Sequence, residues 1–110
     1  MEKFLFLMYG LPAQATASDE QTSAYNQKWR QYMGSLAQRG ALEAGAPLQP
    51  TGKTVSSKTV SEAKLETPDV YGFMVINAAS LDEAIAIARE APHMALGGTT
   101  IVRPGVPIPR

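Results

Sequence analysis

The segment formed by residues 70–104 constrains the fold more than any other part of the chain. An apolar run over residues 71–78 predicts a buried strand, and a capping box at Ser80 predicts a helix directly after it. Pro92 ends that helix, and a β-branched run over residues 99–103 predicts another strand. Two strands joined by a short helix are typical of a sheet with the helix packed on one face.

The first part of the chain shows the same order of elements. The apolar run over residues 3–9 predicts an interior strand that is covered on both faces, and a capping box at Ser18 starts a helix over residues 19–39. Gly40 ends this helix, and residues 41–48 begin a second strand. One stripe of the first helix carries large side chains, namely Tyr25, Trp29, Tyr32, Met33 and Leu36. The second helix has an apolar stripe formed by Leu81, Ala84, Ile85 and Ala88.

The middle of the chain carries weaker signals. Gly45 and Pro47 in the second strand predict a bulge or an edge position, because proline cannot donate a hydrogen bond to a neighbouring strand. Residues 54–60 alternate β-branched and small polar side chains, which predicts an exposed strand. Residues 61–69 are polar and end in a turn sequence, so we expect a loop there.

Length and charge limit the classes of function. A chain of 110 residues has room for one core, so we expect one domain over residues 1–104 and an extended proline-rich tail over residues 105–110. Ten basic side chains balance ten acidic ones and are scattered, which argues against a nucleic-acid partner. The chain has no cysteine, and its apolar N-terminus is too short for a signal or membrane segment. We therefore expect a cytoplasmic protein without a membrane partner.

The order of the elements predicts an α+β, ferredoxin-like fold built as a split βαβ unit. Such a fold has an antiparallel sheet with both helices on one face. The other face would expose an apolar patch in a monomer if it is built from Phe4, Phe6 and Met8, or from Phe73 and Val75. A symmetric dimer that packs sheet to sheet buries such a patch, so we expect a homodimer.

Several segments, taken together, resemble the YCII-related family and, within it, its DGPF-like branch. They read KFLFLMYG at 3–10, GALEAGAPLQP at 40–50, GFMVI at 72–76 and SLDEA at 80–84, followed by Pro92-His93, Gly97-Gly98 and Val102-Arg103-Pro104. Their order and spacing cover most of the chain. The resemblance implies a dimeric α+β barrel of ferredoxin-like fold.

Two motifs of that family are not retained. Family members similar to the better-studied branch carry a histidine on the first helix and an aspartate just after the second, proposed as a catalytic or binding pair. This chain has Trp29 and Ala91 at those places. The Asp-Gly-Pro-Phe motif of the other branch would fall at residues 60–63, where the chain reads Val-Ser-Glu-Ala. The resemblance therefore implies the fold and the dimer, but no acid-base pair.

His93, the one histidine of the chain, is the candidate catalytic residue. A neutral imidazole can act as a general base or bind a ligand near neutral pH. Its place after Pro92 at a helix end also fits a structural role, in which a backbone carbonyl satisfies the ring. The structural role is the more frequent one for an isolated histidine. No His, Asp and Glu spacing for a metal site accompanies it, so we expect no metal.

Three further residues are candidate ligand-binding residues. The spacing of Trp29 on the first helix is typical of a core residue. Alternatively, Trp29 would form an aromatic wall of a cavity between that helix and the sheet. Tyr9, at the end of the first strand, would reach the same space. Arg103 would be paired or solvated at its strand end, or would anchor a ligand carboxylate.

Two hypotheses of function follow. The first is a small homodimeric module that binds a small molecule or a protein partner and has no chemistry of its own. The alternative is a cofactor-free enzyme of oxygenase or lyase-like chemistry that uses His93 in an aromatic-lined cleft, an idea that rests on analogy of fold. The two differ in whether His93, Arg103 and an aromatic side chain meet in one cavity. Neither requires a cofactor, and the sequence leaves open whether the protein is an enzyme.

Overall fold

The structure is a computed structural model that describes residues 1–10, 18–49, 51–63 and 70–106. The described elements are β1 (Glu2–Tyr9), α1 (Asp19–Gln38), β2 (Leu42–Pro47), β3 (Lys53–Val55), β4 (Val60–Glu62), β5 (Val70–Ala78), α2 (Leu81–Arg89) and β6 (Thr99–Pro104). A 3-10 helix (Pro92–Leu96) joins α2 to β6. The predicted α+β class is confirmed. The predicted proline-rich tail lies outside the described residues, apart from Gly105 and Val106.

Four strands form one antiparallel sheet in the order β2-β5-β1-β6. β1 pairs with β5 on one side and β6 on the other, which confirms the interior position predicted for the first strand. β2 lies at the sheet edge, which is one of the two alternatives predicted from Gly45 and Pro47. Its register shifts earlier in the strand, between Leu42 and Ala44. This strand order, with two crossing helices, is the ferredoxin-like arrangement. None of the described helices is long and apolar enough to cross a membrane.

The helices cover the sheet face that carries Phe4, Phe6 and Met8. These three side chains are at most 5% exposed and belong to one core with Leu36 of α1 and Ile87 of α2. Of the two alternatives for the open face, the one built from Phe4, Phe6 and Met8 is therefore wrong. Neighbouring residues of β1 are all apolar, so the alternation of side chains gives no signal that distinguishes the two faces.

The open face of the sheet carries Leu5, Leu7, Phe73 and Val75. Leu5 lies opposite Val75 and Leu7 opposite Phe73 in the register of β1 and β5, and all four are half-buried. Ile101, opposite Leu7 on β6, is 47% exposed. The apolar open face that was predicted from Phe73 and Val75 is thus present.

Helix α1 begins and packs as its sequence predicts. The Gln21 backbone N–H donates to Ser18 Oγ at 3.1 Å, and the Ser18 N–H donates to Gln21 Oε1 at 3.0 Å, which completes the capping box. Along the predicted stripe, Tyr32 and Leu36 are buried, while Trp29 packs against the core from one turn earlier. The helix therefore presents its aromatic side chains to the sheet.

Helix α2 differs from its predicted stripe at two positions. Leu81 is 44% exposed, and Ile87 rather than Ile85 joins Ala84 and Ala88 in the core. Ile85 and Ile87 are both apolar and lie on either side of the stripe, so periodicity alone does not choose between them. The cap at Ser80 is present, because its Oγ accepts from the N–H of the residue three positions later at 3.2 Å.

The middle of the chain forms a hairpin of β3 and β4 instead of one strand over residues 54–60. Lys53 lies opposite Glu62, and their side chains form an ion pair. Ser56 closes the turn, because its Oγ accepts from the Thr59 N–H at 3.0 Å and its own N–H donates to the Thr59 carbonyl at 2.8 Å. The loop predicted over residues 61–69 is wrong at Ser61 and Glu62, and residues 64–69 lie outside the described part of the chain.

Candidate functional site

His93 lies in the 3-10 helix where the chain turns from α2 towards β6. Gly97 ends this turn in the left-handed region, at φ 82°, which glycine adopts without a steric cost. The N–H of Gly98 donates to the His93 carbonyl at 2.9 Å. The two glycines therefore form a tight turn into β6, and His93 is only 2% exposed.

The imidazole of His93 has one nitrogen satisfied and one free. Nε2 lies 3.2 Å from the Thr99 carbonyl oxygen and 2.9 Å from Thr100 Oγ1. Because the Thr99 carbonyl oxygen only accepts, the tautomer with its proton on Nε2 satisfies this contact, and we assign that tautomer to His93. Nδ1 is buried and has no hydrogen-bond partner in the described structure. Burial lowers the pKa of His93, and the Thr99 contact only partly opposes this, so the ring is neutral at neutral pH.

Aromatic rings enclose the imidazole on two sides. The Trp29 indole stacks on it with ring centroids 5.7 Å apart and planes 17° apart, and the Tyr71 ring meets it edge-on at 5.8 Å. Tyr25 and Tyr32 both meet Trp29 edge-on, at 6.3 and 5.7 Å. We call these five side chains the aromatic cluster. Each stacked or edge-on ring pair contributes about 0.5–1.5 kcal/mol to folding stability, in addition to the effect of burying apolar area. The aromatic cluster therefore holds the His93 ring in place.

The two buried tyrosine hydroxyls of the aromatic cluster have different environments. The Tyr32 hydroxyl donates to the Ile87 carbonyl at 2.8 Å and so ties α1 to α2. The Tyr71 hydroxyl is buried, and its side-chain contact is with the Tyr25 phenol. Burial raises the pKa of both phenols far above the usual value, and the neighbouring Tyr25 phenol adds to the shift of Tyr71. Both phenols are therefore neutral at neutral pH.

A cavity of about 230 Å³ opens between α1 and the sheet beside the aromatic cluster. From α1 it is lined by Tyr25, Asn26, Trp29 and Met33, and from the sheet by Met8, Ala46, Pro47, Phe73 and Met74. We call it the α1-sheet cavity. Its lining is mostly apolar, with Asn26 and Tyr25 as its main polar side chains. His93 and Tyr71 do not line it.

A second, more open groove of about 510 Å³ runs between α1 and the end of α2. Charged side chains such as Lys28, Arg89 and Glu90 line it together with Met94. Small-molecule sites are usually concave and mainly apolar with few polar groups. The α1-sheet cavity fits that description better than this wider, wetter groove.

The structure brings two of the four predicted site residues together. Trp29 contacts His93 and also lines the α1-sheet cavity. Tyr9 and Arg103 do not line it. Arg103 lies opposite Leu5, on the open face of the sheet. The idea that His93, Arg103 and an aromatic ring converge in one cavity is therefore not supported.

Sequence patterns missed two residues that shape the site, Tyr71 and Thr100. Tyr71 was treated only as part of a buried strand, yet a register shift between Met8 and Tyr9 leaves it without an opposite residue on β1, and its ring reaches His93. Thr100 was treated as ordinary strand material, yet its hydroxyl contacts the imidazole. Gly98 has a sequence signal, since a second glycine after a helix-ending glycine indicates a close approach of backbone.

Metal binding finds no support among the described residues. No group of three or more His, Asp or Glu side chains comes together there in a way that would hold an ion. The site is instead a neutral, aromatic environment.

The sequence model of the YCII-related domain matches residues 2–104. The chain belongs to the YCII-related family. In this YCII-related chain, the α1-sheet cavity, the aromatic cluster and all four sheet strands fall within the matched residues. No curated protein matches the sequence significantly.

Among solved structures, the YCII-related chain is similar to 5-chloro-2-hydroxyhydroquinone dehydrochlorinase from Burkholderia phenoliruptrix in complex with 2,5-dihydroxybenzoquinone. The TM-score is 0.54, the sequence identity is 19%, and the match covers 92% of this chain and 90% of that chain. At this identity the likeness shows a shared fold of two helices on an antiparallel sheet.

Proposed function

We propose that this YCII-related protein binds a small planar molecule in the α1-sheet cavity. The observation that carries the proposal is the cavity itself, in which the Trp29 and Tyr25 rings form an aromatic wall and Asn26 offers a polar contact. Aromatic rings and a small number of polar groups are the usual composition of small-molecule sites.

The size of the cavity favours a ligand with a single ring. An apolar cavity of roughly 150 Å³ in a protein interior accommodates a benzene molecule. At about 230 Å³, the α1-sheet cavity has room for one six-membered ring with small substituents, and little more. The dehydrochlorinase of similar fold holds such a molecule, 2,5-dihydroxybenzoquinone, which makes it a reasonable probe for this chain.

The enzymatic alternative has less support. His93 would serve as the base, but it is 2% exposed, is stacked under Trp29 and does not line the α1-sheet cavity. Arg103 and Tyr9 lie on the other face of the sheet and bring no charge or hydroxyl to the cavity. A binding role needs none of these groups, and for this reason we favour it.

Isothermal titration with 2,5-dihydroxybenzoquinone tests the binding role. The substitution Asn26→Phe places a large ring in the cavity lining and should weaken binding by at least about tenfold. Gln27→Phe is the matched control, because it adds the same ring at the next, exposed position of α1, which lines neither described cavity. Absence of binding by the wild-type protein, or equal weakening by both variants, would refute the proposal.

We also infer that the protein is a homodimer of the DGPF-like branch that works in the cytoplasm. The apolar open face of Leu5, Leu7, Phe73 and Val75 supports the dimer, because a second copy would remove it from water. The assignment to the DGPF-like branch rests on the order of the family-like segments at residues 40–50 and 92–104. The assignment to the cytoplasm rests on the lack of cysteine.

Sedimentation of matched variants tests the dimer. Val75→Lys puts a charge in the centre of the open face and should give a monomer, whereas Val55→Lys on the exposed hairpin should stay dimeric. A monomeric wild-type protein at micromolar concentration would show that the open face does not pair.

A further inference from the structure

The open face of the sheet carries small side chains at one edge and large ones at the other. The paired residues of the four strands form two rows across this face. From β2 to β6, one row is Ala44, Val75, Leu5 and Arg103, and the other is Ala46, Phe73, Leu7 and Ile101. The β2 edge therefore presents alanine in both rows, where the β6 edge presents arginine and isoleucine.

The charges of the open face are also divided between its edges. Lys3 of β1 and Glu43 of β2 form an ion pair, although β5 lies between their strands. Lys3 shares the face of Leu5 and Leu7 by alternation, so the ion pair crosses β5 on the open face. The Lys3 ammonium contacts Oε1 of Glu43, and the Glu43 side chain remains 43% exposed. A carboxylate at the β2 edge is thus accessible to a further cation.

Arg103 is the complementary charge at the opposite edge. Its side chain is exposed on β6 and forms no ion pair with another residue in the described part of the chain. Glu43 precedes Ala44, which lies in the same row as Arg103. The two charges are therefore at a similar height along the strands but three strand spacings apart, or about 14 Å. That separation is too large for an ion pair within one sheet.

A two-fold axis parallel to the strands brings the complementary edges together. Rotation about this axis reverses the order of the strands but keeps the height of each residue, so β6 of one protomer faces β2 of its partner. Ile101 then packs on the alanine edge, and Arg103 meets Glu43 of the partner subunit. An axis across the strands would instead place β6 on β6 and β2 on β2, with large side chains against large ones.

We propose that two copies of the chain pack open face to open face about this axis, and that Arg103 of each protomer pairs with Glu43 of the partner subunit. The inference rests on the proposed homodimer and adds the arrangement of its subunits. Glu43 lies between Lys3 of its own chain and the incoming guanidinium, which takes the second carboxylate oxygen. The symmetry gives two such pairs in each dimer, so one substitution changes the interface twice.

Charge reversal with rescue tests the ion pair. Arg103→Glu and Glu43→Arg each place like charges together across the interface, and each should raise the dimer dissociation constant by at least about tenfold. The double variant restores opposite charges and should recover most of the wild-type affinity. Glu43→Arg also loses the pair with Lys3, but this loss is the same with and without Arg103→Glu. Arg30→Glu is the matched control, because Arg30 is exposed on α1, behind the sheet.

Thiol cross-linking tests the direction of the axis. The chain has no cysteine, so introduced cysteines are its only thiols. A mixture of Ala44→Cys and Ile101→Cys proteins should be joined by a short bifunctional maleimide, because β2 faces β6 of the partner. Each variant alone should stay unlinked, because like edges are about 14 Å apart across the strands, in addition to a sheet spacing of about 10 Å.

The inference requires both results, and its failure differs from failure of the homodimer. Equal effects of Arg103→Glu and Arg30→Glu, or no rescue in the double variant, would show that the ion pair is absent. No link in the mixture, or a link within either cysteine variant alone, would show that the edges do not face each other in this way. A wild-type dimer that Val75→Lys dissociates leaves the homodimer standing in all these cases, whereas a monomeric wild type refutes the homodimer itself.

Discussion

Replacement of Gly98 by alanine should destabilise the protein through the turn that holds His93. A methyl group at this position would lie 2.5 Å from His93 Cδ2, 2.8 Å from the His93 carbonyl oxygen and 3.0 Å from the Tyr9 carbonyl oxygen. Two of the three atoms belong to the backbone, so no change of side-chain rotamer relieves the contact. Overpacking of this kind costs about 1–3 kcal/mol of folding free energy.

Gly34→Ala is the matched control for Gly98→Ala. Gly34 is exposed within α1, and nothing lies within 4 Å of an added methyl group. Alanine is a better helix former than glycine, so this variant should be more stable by about 0.5–1 kcal/mol. The same chemical change is thus expected to act in opposite directions at the two sites.

Urea unfolding followed by the fluorescence of Trp29 measures both variants, because the indole packs in the aromatic cluster. In a separate thermal unfolding experiment, each kcal/mol of change in the free energy of unfolding should move the melting temperature by about 4–8 °C in a domain of this size. If Gly98→Ala is as stable as the wild type while Gly34→Ala gains stability as expected, the close packing of β1, Gly98 and His93 described above is wrong.

Three further predictions concern the core, a helix cap and pH. Leu36→Ala should cost about 2–5 kcal/mol in urea unfolding, because Leu36 is 1% exposed in the core. Ser18→Ala should cost about 1 kcal/mol by the same assay, because the first turn of α1 loses its cap. Because burial lowers the pKa of His93 in the folded protein, the unfolded chain binds the proton more tightly. The contribution of His93 to stability should be constant above a pH of about 6.5 and fall as the pH drops below it, and His93→Gln should abolish that fall.

The elements that were correctly predicted are those with strong local signals. The capping box at Ser18 and the aromatic stripe after it fixed both the start of α1 and the side that faces the sheet. The edge position of β2 followed from Pro47, which has no N–H to donate. In each case the residue type is compatible with few structures, so the sequence alone is sufficient to predict the element.

The predictions were wrong where the local sequence is equally compatible with two arrangements. All residues from Phe4 to Met8 are apolar, and the face that the helices cover is decided only by tertiary packing. The hairpin of β3 and β4 depends on side-chain to backbone hydrogen bonds of Ser56, which β-propensity does not represent.

The candidate site was only half predictable for a similar reason. Trp29 and His93 are chemically conspicuous and were identified from their positions in the sequence. Their contact, and the part that Tyr71 has in it, depend on a register shift in β1 and on a turn of two glycines. The sequence predicts that Tyr9 reaches the same space as Trp29 and that Arg103 is paired, solvated or an anchor for a ligand carboxylate. Alternation along β1 and β6 places both residues on the open face.

Methionine methyl NMR tests the central claim, ligand binding in the α1-sheet cavity, most directly. The chain has five methionines, of which Met8, Met33 and Met74 line this cavity, Met94 lines the other groove and Met1 is exposed. On titration with 2,5-dihydroxybenzoquinone, we predict saturable shifts of the three cavity methyl resonances and none of the other two. Shifts confined to Met94, or no shift of any methyl resonance, would contradict the account.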